Sequence, residues 1–130
     1  MIFVDTSAWF SSVVPSDSCY LAATTWISGN TQPLLTTDYV VDETLTLLKA
    51  RRENSRAIAL GDAFFSGNLA TIYYFTEVDI QLTWQVFRQF SDKDWSTDCS
   101  SKVVMEKLGV TQAFSFDRYF RHFGLIAVVP

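Results

Sequence analysis

The chain reads as an α/β protein with a mostly parallel central sheet flanked by helices on both faces. Two observations predict this. Short apolar segments alternate with helical periodicities along the whole length, the pattern of strand–helix–strand units. Two of those segments, Ile2-Phe3-Val4 and Ala113-Phe114-Ser115-Phe116, stop abruptly on an acid, Asp5 and Asp117. In an α/β protein such a stop places a carboxylate at the carboxyl edge of the sheet, where these folds bind ligands.

The elements follow in order. Ile2 to Val4 reads as a buried strand, and Asp5 to Val14 as a turn and a helix closed by Pro15. Asp17 to Ile27 carries Leu21, Ala22, Thr25 and Trp26 near helical spacing, with Gly29-Asn30 as a stop. Leu34-Leu35 forms a short strand. Thr36-Thr37-Asp38 opens a helix, with Asp38 as its cap, that runs to Arg52 and presents Val40, Val41, Thr44, Leu45, Leu47 and Leu48. Ser55 to Phe65 is a further helix, stopped by Ser66-Gly67-Asn68. Ala70 to Phe75 reads as a strand. Thr76 and Asp79 form a capping box, and the helix behind it sets Ile80, Trp84, Phe87 and Phe90 on one stripe. After the polar break Ser91-Asp92-Lys93-Asp94, a helix begins around Ser96-Thr97-Asp98 and ends at Gly109. Ala113 to Phe116 and Ile126 to Val129 are the last strands.

Composition bounds the function. At 130 residues, 48% hydrophobic and 15% aromatic, the chain is long enough for one domain with a real core, residues 1–130, and is not disordered as a whole. No apolar run reaches the roughly 18 residues of a spanning helix. The N-terminus lacks the basic start of a signal peptide, so a cytoplasmic protein is expected. Cys19 and Cys99 have no metal or disulfide spacing and read as buried thiols. The net charge of −4 argues against a surface that attracts nucleic acid everywhere, while leaving room for a local basic rim. His122 is the only histidine, and neither a nucleophile elbow, a GxGxxG nor a Walker loop is present.

Four acids stand in settings that can converge. Asp5 and Asp117 end strands, and each reads equally as a cap or a ligand. Glu43 lies three residues after Val40 and four before Leu47, on their apolar helical face. An acid there needs a metal or an ion pair, for which Arg51 and Arg52 are available. Asp42 next to it points about 100° away and reads as solvated. Asp98 sits at a helix start, where the dipole also favours a structural anion. Gathered together, such carboxylates repel and raise one another's pKa values, a penalty that a divalent cation removes. All-oxygen ligation selects a hard ion, Mg²⁺ or its substitute Mn²⁺.

The ordered set resembles the PIN domain, a family of metal-dependent ribonucleases. The resemblance rests on Phe-Val-Asp-Thr-Ser-Ala at 3–8, Thr-Thr-Asp-Tyr-Val-Val-Asp-Glu at 36–43, Asp-Trp-Ser-Thr-Asp-Cys-Ser-Ser at 94–101 and Phe-Ser-Phe-Asp-Arg-Tyr-Phe at 114–120. It runs essentially end to end and is greatest to the short VapC-type toxins of toxin–antitoxin pairs. It implies a PIN-like fold and a metal site of Asp5, Glu43, Asp98 and Asp117, with Ser7 beside it. It also implies endonucleolytic cleavage of RNA, a small cognate antitoxin and a homodimer. In one place the chain departs from the pattern, because Ser96 runs directly into Thr97 where relatives have one more residue. A deletion there rotates the first helical turn by about 100° unless the loop absorbs it. Asp94 is then the substitute ligand, and the alternative function is a catalytically impaired module that holds RNA or a protein partner. Arg118, Lys93, Lys102 and Arg121 are the candidate phosphate contacts, Arg118 foremost because it follows Asp117. Arg51, Arg52 and Arg56 form a second basic group.

Overall fold

The computed structural model describes residues 1–90, 97–123 and 126–130, apart from the side chains of Thr97, Arg118, Tyr119 and His122. Lys93, Asp94 and Ser96 lie outside the described residues, as does the side chain of Arg118. Five strands form one parallel sheet: β1 (Ile2–Val4), β2 (Leu34–Thr37), β3 (Thr71–Tyr73), β4 (Gln112–Phe114) and β5 (Ala127–Val129). Their spatial order is β3-β2-β1-β4-β5. Six α-helices connect them: α1 (Thr6–Val13), α2 (Tyr20–Gly29), α3 (Asp38–Ala50), α4 (Asn54–Phe65), α5 (Glu77–Gln89) and α6 (Thr97–Leu108). A 3-10 helix, Arg118–Phe123, lies between β4 and β5.

The strand order has a direct consequence. From β1 the chain steps outward to β2 and β3, then crosses back to β4 on the other side of β1. The direction of winding reverses between β1 and β4, and such switch points open a crevice at the carboxyl ends of the strands. Ile2, Phe3 and Val4 are all buried although successive side chains point to opposite faces, so the centre of the sheet is covered on both sides. α1 packs on α2 and α3, α3 packs on α4, and α5 pairs with α6. Phe3 stacks on Phe120 of the 3-10 helix, Trp26 on Phe114, and Trp9 meets Phe64 edge-on. The buried Trp9 indole N–H donates to Thr36 Oγ1 at 3.3 Å, and that hydroxyl donates to the Val4 carbonyl at 3.2 Å. The polar atom of the largest core side chain is thereby satisfied.

Several boundaries differ from expectation. The cap of α3 is Thr37, whose hydroxyl accepts from the Val40 amide, and not Asp38. Asp38 is the first residue of the helix, and its carboxylate accepts from the Tyr39 and Phe75 amides, tying α3 to the end of β3. β3 spans only Thr71–Tyr73, and β4 ends at Phe114, which leaves Ser115 and Phe116 in the turn before Asp117. α6 ends as expected at Gly109, whose φ of +67° admits the close of a Schellman motif. There the Val110 amide donates to the Met105 carbonyl and the Gly109 amide to that of Glu106.

The largest correction concerns α5. Its capping box of Thr76 and Asp79 is present, but the expected apolar stripe does not face the core. Ile80 and Trp84 are nearly half exposed, Phe87 and Phe90 are half-buried, and the buried side chains of the helix are Asp79 and Thr83. The reason lies in its partners. Asp79 is fully buried and accepts from the Tyr73 hydroxyl at 2.6 Å, the Thr76 amide at 3.0 Å and Lys107 Nζ at 3.1 Å. Lys107, near the end of α6, also donates to the Tyr73 hydroxyl at 2.7 Å. This cluster pins β3, α5 and α6 together through a polar face, and the apolar flanks are left outside.

Burial raises the Asp79 pKa, and the hydrogen bonds from Tyr73, Thr76 and Lys107 outweigh it and hold the value at about 2. That is below the unfolded value near 3.9, so the carboxylate stabilises the fold fully above about pH 4 and loses that effect as pH falls toward 2. Asp79→Ala is expected to lower stability by about 2 kcal/mol at pH 7, because the partly buried Tyr73 hydroxyl and the Thr76 amide lose their acceptor and Lys107 its partner. Urea unfolding checks this, and the difference between parent and variant is expected to shrink between pH 4 and pH 2.

Candidate metal centre

The pairing of β1 with β4 builds the site. Phe3 and Val4 lie against Ala113 and Phe114, so the residues that follow each strand emerge side by side. Asp5 is the N-cap of α1, and its Oδ1 accepts from the Ala8 amide at 3.1 Å and from the Ser7 hydroxyl at 2.7 Å. Its Oδ2 accepts from the Ser115 hydroxyl at 2.5 Å. The cap reading of Asp5 is therefore correct, and the same carboxylate turns its second oxygen to Ser115.

Asp98 in the first turn of α6 and Asp117 after β4 complete the group. With Asp5 they offer carboxylate oxygens that all lie within 4.8 Å of one another. Asp98 reaches the group even though Ser96 is joined directly to Thr97. Glu43 lies half-buried on α3, outside that three-residue group, and its charge acts on Asp98. A hydrogen bond of 3.3 Å from Thr44 to Thr6 joins the residues next to Glu43 and Asp5 and so couples α3 to α1.

Electrostatics sets the chemistry. Burial pushes Asp5 up to about 6, against the lowering effect of its three hydrogen bonds. Asp98 rises to about 8, through burial first, then through the charge and hydrogen bond of Asp117 and the charges of Asp5 and Glu43. Proton-binding carboxyl groups held this close at neutral pH are what a hard cation replaces. The donor set fits such an ion. The three carboxylate oxygens lie within 4.8 Å of one another, and small side-chain shifts bring them to the roughly 3 to 4 Å that separates ligands on an octahedral ion with bonds of about 2.1 Å.

Ser7 sits where it was expected, bonding Asp5 and accepting from the Phe116 amide at 2.9 Å. Ser115 was not anticipated. It bonds Asp5 and accepts from the Asp117 amide at 3.0 Å. A mirrored spacing marks it: Asp5-x-Ser7 at one strand end, Ser115-x-Asp117 at the other. Two of the basic candidates have described side chains. Lys102 pairs with Glu106 one turn along α6, and Arg121 is exposed on the 3-10 helix. In the second basic group Arg56 pairs with Glu53, and Arg51 lies over the Phe10 ring. Cys99 is buried and Cys19 half-buried, and neither is in a disulfide.

A parallel sheet wound in this order, with acids from β1, α6 and β4 meeting at its switch point, has the plan of a PIN domain. No family model matches the sequence. The chain is nonetheless similar along its full length to the 23S rRNA-specific endonuclease VapC20 of Mycobacterium tuberculosis, from strains CDC 1551 and H37Rv. Identity is 29% over 131 residues, covering 100% of this chain and 99% of that protein. The crystal structure of Mycobacterium tuberculosis VapC20, described as a sarcin–ricin loop cleaving toxin, superimposes with a TM-score of 0.92 at 27% identity and covers 100% of both chains. Sequence and fold agree in this likeness, which is to a VapC-type toxin with the α/β plan of the PIN domain.

The raised values of Asp5 and Asp98 carry a signed prediction for the metal-free protein. Between about pH 4 and pH 8 the folded state binds more protons than the unfolded chain, so stability falls as pH rises. Thermal unfolding in chelator is expected to show a lower Tm at pH 8.5 than at pH 5, and saturating Mn²⁺ is expected to remove most of that loss. Asp98→Asn, which deletes the repelling charge, is expected to raise the metal-free Tm at pH 8.5. A flat profile that is insensitive to the substitution would contradict the arrangement described.

Proposed function

We propose that the chain is a Mg²⁺-dependent endoribonuclease and the toxin of a type II toxin–antitoxin pair. The observation that carries this reading is the meeting of Asp5, Asp98 and Asp117 at the switch point, with the Glu43 charge acting on it. In this reading the four acids hold the cation. When bound, it supplies positive charge to the scissile phosphate and lowers the pKa of the attacking water. The protein's own part is to hold the acids: Ser7 and Ser115 orient Asp5, the Ser115 hydroxyl holds the Asp117 turn, and α6 presents Asp98. A loaded centre also offsets local negative charge that otherwise repels RNA. Arg121, exposed on the 3-10 helix that follows Asp117, is a phosphate contact in this reading. Arg118, Lys93 and Lys102 remain secondary candidates, and Asp94 an auxiliary acid. Inclusion of Asp98 in the group supports catalysis over the alternative of an impaired RNA- or protein-binding module.

Ribosomal RNA is the first substrate to test, because the relative is named for cleaving 23S rRNA. A target of that kind places the protein in the cytoplasm. Among the described residues no helix is long and apolar enough to cross a membrane. Exposed Val78, Leu82, Ile80 and Trp84 on α5, and Ile58, Phe65 and Tyr74 around the α3–α4 groove, support protein partners: a second copy of the chain and a cognate antitoxin.

Purified protein, stripped of metal and reloaded with Mg²⁺ or Mn²⁺, is expected to cut intact 23S rRNA or its isolated sarcin–ricin loop at discrete positions. Asp5→Asn and Glu43→Gln are expected to reduce the rate by roughly two orders of magnitude or more. Absence of cleavage by the reloaded parent on total cellular RNA would overturn the enzymatic reading. Light scattering of the antitoxin-free chain at micromolar concentration is expected to give the mass of a dimer.

A further inference from the structure

The Asp5 carboxylate can be counted lone pair by lone pair. Its two oxygens offer about four acceptor positions. Oδ1 uses two, for the Ser7 hydroxyl and the Ala8 amide. Oδ2 uses one, for the Ser115 hydroxyl, and one position remains. The Ser115 hydroxyl is itself constrained. It is buried, and the Asp117 amide occupies one of its lone pairs, which turns its single proton toward Asp5. Ser115 therefore touches the strand-end acids of both β1 and β4 with one oxygen atom.

We propose that Ser115 is a positioning residue of the metal centre. It fixes the rotation of the Asp5 carboxylate, so that the one free lone pair on Oδ2 serves the cation, and it holds the Asp117 turn at the matching distance. Ser7 is the informative comparison. Without Ser7, Oδ1 keeps the Ala8 amide and the cap of α1 survives. Without Ser115, Oδ2 has no donor among the described contacts and the link to the Asp117 amide is gone. The two serines look equivalent in sequence and are unequal in the fold. The proposal rests on the metal reading given above.

The test is Mn²⁺ titration of the purified chain, followed by calorimetry or by the loss of free-ion resonance signal. Circular dichroism and Tm serve as folding controls. Ser115→Ala is expected to weaken Mn²⁺ binding about 10- to 100-fold, the range for partners that orient metal ligands. Ser7→Ala is expected to weaken it distinctly less, and Ser115→Thr, which keeps the hydroxyl, to stay near the parent. Deleting a donor also makes Asp5 more basic, which by itself favours the cation, so the sign of the change is diagnostic. Unchanged or tighter binding in Ser115→Ala overturns the proposal, as does an equal loss in Ser115→Thr. If Ser115→Ala does not fold, Ser115→Cys, similar in shape but a weak donor, replaces it, and parent-like affinity there overturns the proposal in the same way. A parent that binds no Mn²⁺ removes the metal reading together with this one, whereas a binding parent with an indifferent Ser115→Ala removes this one alone.

Discussion

The Asp5 amide donates to the Phe114 carbonyl at 3.2 Å and closes the ladder between β1 and β4. That bond joins residues more than a hundred positions apart, and the rest of the molecule is disposed around it. It starts α1 on one side, because Asp5 leaves the ladder directly into its role as N-cap. It starts the Ser115-Phe116-Asp117 turn on the other. A slip of one residue in this pairing turns every side chain of β1 to the opposite face. Phe3 then leaves Phe120, and the Asp5 carboxylate leaves Ser115.

Two buried aspartates show how far surroundings decide the state of the same group. Asp79 is surrounded by donors and an ammonium, and its pKa falls to about 2. Asp98 is surrounded by other acids, and its pKa climbs to about 8. Both belong to the same pair of packed helices, because Lys107, which serves Asp79, is near the other end of the helix that presents Asp98. About nine residues of α6 separate them, roughly 13 Å of helix. One end of α6 is thus anchored by paired charge, while the other holds an aspartate whose acidic neighbours raise its pKa, a setting that favours a cation. Stability at the first end offsets strain at the second, the usual relation between a scaffold and its functional site.

The arrangement of strands and helices was legible because periodicity and turn chemistry are local signals. The acid stops after Val4 and before Arg118, the Thr76–Asp79 capping box and the Gly109 stop each follow from a few adjacent residues. Glu43 stood out for a related reason, since an acid on an apolar helical face conflicts with its neighbours, and the fold brings its charge within reach of Asp98 without placing it in the three-acid group. What was not legible depends on partners distant in the chain. The apolar stripe of α5 gave the wrong face because Tyr73 and Lys107, on β3 and α6, draw Asp79 inward. Thr37 rather than Asp38 caps α3 because Asp38 is occupied by the Phe75 amide. Ser115 has no periodic or charge signal at all. A hydroxyl in a turn looks the same whether it faces water or a buried carboxylate, and only the pairing of β1 with β4 distinguishes the two.

The central place of β1 also bears on the order in which the chain becomes competent during synthesis. β1 acquires its β4 neighbour only after residue 114 has been added, and the three grouped acids arrive in the order 5, 98, 117. α1 through β3 can associate early, since their contacts are nearer in sequence. The charged crevice is incomplete until the last strands are made. The group of Asp5, Asp98 and Asp117 therefore assembles only once nearly the whole of this sequence has been made.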